Sequence, residues 1–200
     1  QTTEHVVKNA LDIGAGTGLL SLMLAQHSSF QIDAIEIDDE AAKQASENIQ
    51  GSPWSDRINV IHQSLNHFNP DKKYDFIFSN PPFFDNDLPS PSTKRSKAMH
   101  EDGLSIDDII EFILHHLSNH GIAGLLMPYA RENFVLDLLH RNELFLIKKT
   151  TVQTSESHPF LRTMFLFSKE KIQDVESSHI IIRSGKEDSI FNQLMRYYYL

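Results

Sequence analysis

Asp12-Ile13-Gly14-Ala15-Gly16-Thr17-Gly18-Leu19-Leu20 is the stretch that decides the fold. The residues before it, Val6 to Ile13, read as a strand that closes on Asp12. Behind it, Leu19, Leu20, Leu22, Met23 and Ala25 recur at helical spacing. A strand, a glycine turn and a helix in that order make the first half of a βαβ unit. The glycines permit a tight turn and let a ligand approach the backbone closely. The start of the helix leaves N–H groups without an internal partner.

The turn departs from a dinucleotide fingerprint. That pattern is G-x-G-x-x-G; here the third glycine, Gly18, arrives one residue early and Leu19 takes its place. Asp12 also precedes the first glycine. A carboxylate there repels a pyrophosphate but can bind an ammonium, directly or through water. S-adenosylmethionine carries an ammonium and no phosphate, so this chemistry favours it over NAD. Gln31 to Ile37 is the second strand: Ile32, Ala34, Ile35 and Ile37 are apolar, and Glu36 lies at its carboxyl end. Glu36 stands about 20 residues past Gly14, where an acid binds both hydroxyls of a ribose. Asp38 and Asp39 belong to the start of the helix Asp39–Ile49, whose amino end favours carboxylates.

Farther along, the run Tyr74-Asp75-Phe76-Ile77-Phe78 reads as a buried strand that is stopped by Ser79-Asn80-Pro81-Pro82-Phe83-Phe84. Neither proline has an N–H for a ladder. Asn80 precedes a proline, which holds it extended. The corner presents one amide side chain, bare carbonyls and two rings. A planar amine can give its hydrogens to the Asn80 side-chain oxygen and the Pro81 carbonyl, and Phe83 can lie against a base. Asn-Pro-Pro alone is also a turn; the glycine loop upstream is what makes it a candidate site.

The chain of 200 residues is expected to form one domain with its own core. It contains no cysteine, which excludes a disulfide framework, a thiolate zinc site and the thiolate used to methylate ring carbon five of a pyrimidine. Eighteen basic residues against 27 acidic ones give a net charge of −9, against nonspecific coating of nucleic acid but not against a local basic patch. No apolar run approaches the length of a membrane span and no signal-peptide pattern opens the chain. Because the chain opens on Gln1 and its first strand follows almost at once, a preceding N-terminal segment is expected. Eleven histidines raise a metal site, but His116 and His120 lack a completing ligand set, so none is expected.

The remaining segments extend the alternation. Arg57 to His62 is a third strand, followed by Gln63-Ser64-Leu65. Asp85 to Asp102 is a long polar segment containing Lys94, Arg95 and Lys97, either a solvated charge run or a phosphate clamp beside the corner. Ser105 caps a helix reaching Ser118. Gly121 to Met127 is a fifth strand and Arg131 to Asn142 a helix. Leu144 to Gln153 and Phe160 to Ser168 are two strands in succession, expected to be an antiparallel pair at one sheet edge. A short strand, Ile180 to Ile182, and a helix, Asp188 to Tyr199, make a C-terminal extension over 178–200; Tyr197, Tyr198 and Tyr199 either pack that helix or stack on RNA.

The order of elements and the glycine loop resemble a class I S-adenosylmethionine-dependent methyltransferase. Asn80-Pro81-Pro82-Phe83 resembles the motif of enzymes that methylate planar amines. Asp12 to Leu20, then Glu47-Asn48-Ile49 with Ser52-Pro53-Trp54, then Asn80 to Phe84, with His158-Pro159 and Arg162, together resemble the bacterial tRNA1(Val) adenine-N6 methyltransferase family over most of the chain. The resemblance implies a Rossmann-like α/β fold with a mainly parallel seven-stranded sheet, helices on both faces and an antiparallel closing hairpin. It implies a cytoplasmic, bacterial enzyme, expected to be a monomer, that methylates N6 of the adenine beside a tRNA anticodon. Asn80, Pro81, Pro82 and Phe83 would be catalytic. Asp12, Gly14, Ala15, Gly16, Thr17, Gly18, Glu36, Ile37, Ser64 and Leu65 would bind cofactor, and Lys94, Arg95, Lys97 and Arg162 would meet the RNA. Ser64 departs from the family, standing where an acid is usual. From the residues alone, guanine N2 in rRNA, a protein glutamine amide, or a non-catalytic cofactor- or RNA-binding module remain open.

Overall fold

The structure is a computed structural model that describes residues 9–81 and 104–183. It divides into two units, one ending at Ala123 and the other beginning at Gly124. Among the described residues hydrogen bonding orders eight strands as β3-β2-β1-β4-β5-β7-β6-β8.

The first unit is the βαβ alternation predicted above. Strand β1 (Asn9–Ile13) leads to helix α1 (Leu19–His27), β2 (Gln31–Glu36), α2 (Asp39–Gln50), β3 (Ile58–His62) and β4 (Tyr74–Ser79). Parallel pairing runs β1 with β2, β1 with β4 and β2 with β3. Ala10, Leu11, Ile32, Ala34, Ile35 and Ile77 are buried, as expected of parallel strands covered on both faces.

Helix ends follow local chemistry. Asp38 caps α2, its side chain accepting from the Ala41 N–H at 2.8 Å, so the two aspartates begin the helix as expected. The end of α1 is held by tertiary contact: the Arg57 guanidinium donates to the carbonyls of Ala25 (2.7 Å), Ser28 (2.7 Å) and Phe30 (3.3 Å). Cations at a helix C-terminus satisfy orphan carbonyls and oppose the dipole. Away from the strands' C-terminal ends, buried Asp33 accepts from Tyr74 Oη at 2.7 Å and Asn59 Nδ2 at 3.3 Å and pairs with Lys72 at 2.7 Å. Burial and the adjacent carboxylate hold the Tyr74 phenol protonated, its pKa raised.

Helix α3 (Ile106–His116) begins with a capping box between Ser105 and Asp108. It ends before the sequence suggests, because β5 (Leu117–Pro128) starts at Leu117 rather than Gly121. Two contacts arrest it: Lys73 Nζ donates to the His115 carbonyl, and Ser118 Oγ donates to Asp75 Oδ1 at 3.2 Å. His116 therefore stays on the helix and His120 does not, so the pair loses its helical spacing. Gly121 suits a tight bend, since a Cβ there would lie 2.8 Å from the Leu117 side chain.

The second unit contains the end of β5, helix α4 (Glu132–Arg141), β6 (Phe145–Gln153), β7 (Phe160–Ser168) and β8 (Glu176–Ile181). Strands β6 and β7 form the expected antiparallel pair, but they do not close an edge. Strand β8 pairs in parallel with β6 and lies outside it, making an eighth strand instead of a short appendage. An open β6 would expose a row of backbone donors and acceptors; β8 covers it. Half-buried Glu132 receives Thr163 Oγ1 at 2.9 Å and pairs with Lys149 at 2.6 Å, tying α4 to the hairpin.

Candidate active site

The site lies wholly in the first unit, where four parallel strands end together. Register fixes it. Ile13 pairs with Ile35 on one side and with Ser79 on the other. The residues that follow, Gly14, Glu36 and Asn80, are thus neighbours across strands about 4.8 Å apart. Ser79 Oγ donates to the Ile13 carbonyl at 2.8 Å and locks the β1–β4 join beneath them. The strand order reverses between β1 and β4, the place where open α/β sheets bind ligands.

The glycine loop leaves β1 through hydrogen bonds from the Gly14 and Ala15 N–H groups to the Ile35 carbonyl (2.9 and 3.0 Å). Gly14, Gly16 and Gly18 have φ of 72°, 55° and 83°. Open space surrounds a Cβ built on Gly14 or Gly16, which leaves room for a ligand against the backbone. Gly18 is needed for packing as well as for its φ: a Cβ there would lie 3.3 Å from Ile49 Cδ1 and 3.4 Å from Ala45. Asn48 Nδ2 also donates to the Thr17 carbonyl at 2.9 Å, so α2 braces the loop.

Two acids stand at the loop with different assignments. Glu36 is buried, and its carboxylate binds backbone: Oε2 accepts from Gly16 N–H at 2.7 Å, and Oε1 accepts from the Ile37 and Asp38 N–H groups at 2.9 Å each. Asp12 is only 1% exposed. Its Oδ2 accepts from buried Ser21 Oγ at 2.7 Å, while Oδ1 has no hydrogen-bond partner. Burial pushes the Asp12 carboxyl up to about 7, against the Ser21 hydrogen bond, which lowers it. An orphaned buried carboxylate oxygen is costly and asks for a cation or a donor. The ammonium of S-adenosylmethionine is such a donor, and the open glycine loop beside it admits the rest of the molecule. The residues present fit this cofactor.

The other sequence candidates fall as follows. Ile37 follows the last residue of β2 and is 49% exposed, an apolar surface beside Glu36. Ser64 precedes the 3-10 turn Leu65–His67 with extended backbone and no side-chain capping bond; Leu65 is buried under it. The Gln63 N–H donates to the Glu36 carbonyl at 3.0 Å, which brings the Ser64 segment to Glu36. Asn80 is exposed and Pro81 buried. Arg162 lies on β7 in the second unit. Pro82, Phe83, Lys94, Arg95, Lys97 and the segment 184–200 with its tyrosines lie outside the described residues. Among the described residues no group of three or more His, Cys, Asp or Glu side chains could hold a metal, and no helix is long and apolar enough to cross a membrane. Asn48 enters the sequence reading only within Glu47-Asn48-Ile49, with no role of its own, and Ser21 does not enter it; the one signal for Ser21 is its place as the polar residue inside the apolar pattern of α1.

Comparison with known proteins agrees with this geometry. Residues 1–96 match the Methyltransferase small domain family. Among solved structures, the glycopeptide N-methyltransferase MtfA complexed with S-adenosylmethionine shares the fold, with a TM-score of 0.62 at 13% identity over 84% of this chain and 90% of that one. The ribosomal protein L11 methylase of Lactobacillus delbrueckii subsp. bulgaricus gives a TM-score of 0.58 at 17% identity, covering 85% and 73%. Two curated relatives carry the same name, tRNA1(Val) (adenine(37)-N6)-methyltransferase. The protein of Flavobacterium psychrophilum is 40% identical over 91% of this chain and 79% of its own length. That of Aliivibrio salmonicida is 36% identical over 96% and 83%. With a glycine loop and an Asn-Pro corner at neighbouring strand ends and relatives matched over most of both chains, the protein belongs to the tRNA1(Val) (adenine(37)-N6)-methyltransferase family.

Proposed function

We infer that the chain methylates the exocyclic N6 of adenine 37 in tRNA1(Val), acting as a cytoplasmic monomer. The observation that supports this best is the register of Ile13 with Ser79, which sets Asn80 beside the first residue of the cofactor loop. S-adenosylmethionine, when bound, supplies a methyl group already activated on a sulfonium sulfur. The protein's task is then mainly to position.

Asp12 would hold the ammonium through Oδ1, with Ser21 keeping Oδ2 in place. Glu36, fixed by three backbone N–H groups, would take ribose hydroxyls, and Ile37, Ser64 and Leu65 would line the adenine end. Gly14, Ala15, Gly16, Thr17 and Gly18 would wrap the amino-acid end. On the acceptor side, the Asn80 side-chain oxygen and the Pro81 carbonyl would accept the two hydrogens of the adenine amine. That amine is a poor nucleophile because its lone pair is delocalised into the ring. Two acceptors favour a pyramidal nitrogen, and each is worth roughly 0.5–1.5 kcal/mol net; only the part that strengthens in the transition state speeds the reaction. Alignment can supply more, up to about 7–11 kcal/mol in favourable cases. The amine needs no strong general base, since its proton becomes acidic as the N–C bond forms. The target base must leave its loop stack, at a cost of a few kcal/mol. Pro82 would stiffen the corner and Phe83 would stack on the base. Lys94, Arg95, Lys97 and Arg162 would meet RNA phosphates.

The test is nucleoside mass spectrometry of a deletion strain, complemented with wild type or Asn80→Ala. Loss of N6-methyladenosine from one tRNA, restored by wild type only, is expected. Loss of N2-methylguanosine from rRNA, or of neither nucleoside, would redirect the acceptor and overturn the reading.

A further inference from the structure

The second unit carries an aromatic cluster that neither the cofactor site nor the Asn80 corner uses. Tyr129, in the 3-10 turn after β5, and Phe160, first residue of β7, are each 38% exposed. Their ring centroids are 4.9 Å apart at 49°. His179 of β8 meets the edge of Phe160 at 5.2 Å and 84°. Two large aromatics in contact, half open to solvent, leave ring surface uncovered. Apolar surface held out in water at one spot marks a binding surface more often than a scattered single residue does.

The cluster is rigidly mounted. Phe160 pairs with Gln153, the last residue of β6, and His179 pairs with Thr151 two positions earlier. The Ile182 and Arg183 N–H groups donate to the carbonyls of Gln153 and Thr154 at 3.0 and 2.8 Å, so β8 is fastened past the strand end. Glu132, three residues after Tyr129, is anchored by Lys149 and Thr163. The β6–β7 turn is braced too: Ser155 Oγ bonds His158 Nδ1 at 2.7 Å, and Gln153 Nε2 donates to the Ser155 carbonyl at 2.6 Å. The rings are thus held by backbone pairing and not by one another alone.

Charge points to the occupant. The turn and strands that carry the rings, 129–132, 145–168 and 176–183, hold Arg131, Lys148, Lys149, Arg162 and Arg183 against Glu132, Glu156 and Glu176, with Glu176 paired to Lys148 and Glu132 to Lys149, in a chain whose net charge is −9. Exposed aromatic faces among arginines form the surface that unpaired nucleobases use: the rings stack the base and the arginines meet its phosphates. A protein partner's apolar anchor would not call for that local reversal of charge.

We propose that Tyr129, Phe160 and His179 form a stacking platform for an unpaired base of the tRNA anticodon loop, other than the base that is methylated. This rests on the tRNA reading above. It adds a recognition role to the β6–β7 hairpin, to β8 and to the turn before α4, all within the second unit: the platform takes an unpaired base other than the target.

The experiment uses the whole chain, full-length tRNA transcript and an anticodon stem-loop transcript, with S-adenosylmethionine affinity and thermal melting as controls. Phe160→Ala should raise the KM for tRNA and the Kd for the stem-loop between about fivefold and about 150-fold, the range of one base–aromatic stack. S-adenosylmethionine affinity and kcat should stay at wild-type values. Phe160→Trp should restore binding and Phe160→Leu should not. Stem-loops with one abasic loop position at a time supply a cycle: at a single position, base removal should weaken wild type but not Phe160→Ala. Should Phe160→Ala fail to fold, Tyr129→Ala carries the same cycle. Wild-type binding by Phe160→Ala or equal performance of Leu and Trp would overturn the platform. So would losses that add at every abasic position. If the wild-type chain itself neither binds nor methylates tRNA, the tRNA reading falls and the platform with it; if it does both and only these variants behave as wild type, the platform alone falls.

Discussion

Asp12 offers the sharpest test of the cofactor site, because its protonation is set by burial. A carboxyl moved from 3.8 to about 7 has its ionised form disfavoured by roughly 4 kcal/mol, at about 1.4 kcal/mol per tenfold change in proton affinity. Between pH 4 and pH 7 the native state without ligand holds a proton that the unfolded chain has released. Stability should therefore fall as pH rises through that window, by at most roughly 1.4 kcal/mol per pH unit. Cofactor binding should show the opposite trend. An ammonium pairs with the ionised carboxylate, so S-adenosylmethionine affinity should rise from pH 5.5 to about pH 7, up to tenfold per pH unit below the carboxyl's pKa, and then level off until the ligand's ammonium titrates. Isothermal titration calorimetry in two buffers of different ionisation heat should find close to one proton released per ligand at pH 6. Asp12→Asn keeps the shape and removes the charge. It should flatten both pH profiles and weaken binding at pH 8 by roughly 10- to 150-fold, the loss of one charge-assisted hydrogen bond of about 1.5–3 kcal/mol. Ser21→Ala removes the bond that lowers the carboxyl's pKa and should move the rise in affinity to higher pH. Affinity that falls between pH 5.5 and 7, or wild-type binding by Asp12→Asn, would refute the assignment of Oδ1 to the ammonium.

Other perturbations follow from the same contacts. Asn80→Ala should abolish turnover while S-adenosylmethionine binds with unchanged affinity in calorimetry; wild-type turnover would remove Asn80 from the acceptor site. Arg57→Ala leaves three carbonyls at the end of α1 without their donor and should cost about 2–4 kcal/mol in urea unfolding. Gly18→Ala forces a side chain into left-handed backbone against Ile49 and should both lower stability and weaken cofactor binding, as read by melting with and without S-adenosylmethionine. Replacing Lys94, Arg95 and Lys97 together should weaken tRNA binding similarly across sequences and flatten its salt dependence; an unchanged slope would return them to the role of a solvated loop.

Much of the first unit was legible because its signals are local. A glycine run after a strand, an acid before it and a proline pair after another strand each constrain backbone within a few residues. The end of α3 departs from its local pattern because Ser118 is drawn to Asp75 and Lys73 to the His115 carbonyl, partners about 40 residues away. The edge position expected for the hairpin failed because nothing local in Glu176–Ile181 announces its partner. Strand pairing is decided by which edge is left open.

A glycine loop after a strand and an Asn-Pro corner can be read from the order of residues, since steric limits on glycine and proline act within the residue and its neighbours. That the two meet depends on how the strands pair. The pairing of Ile13 with Ser79 sets the corner beside the loop, and the packing of Ser21 over Asp12 leaves one buried carboxylate oxygen without a hydrogen-bond partner. Register and burial depend on residues far apart in the chain, whose approach is paid for by the core as a whole.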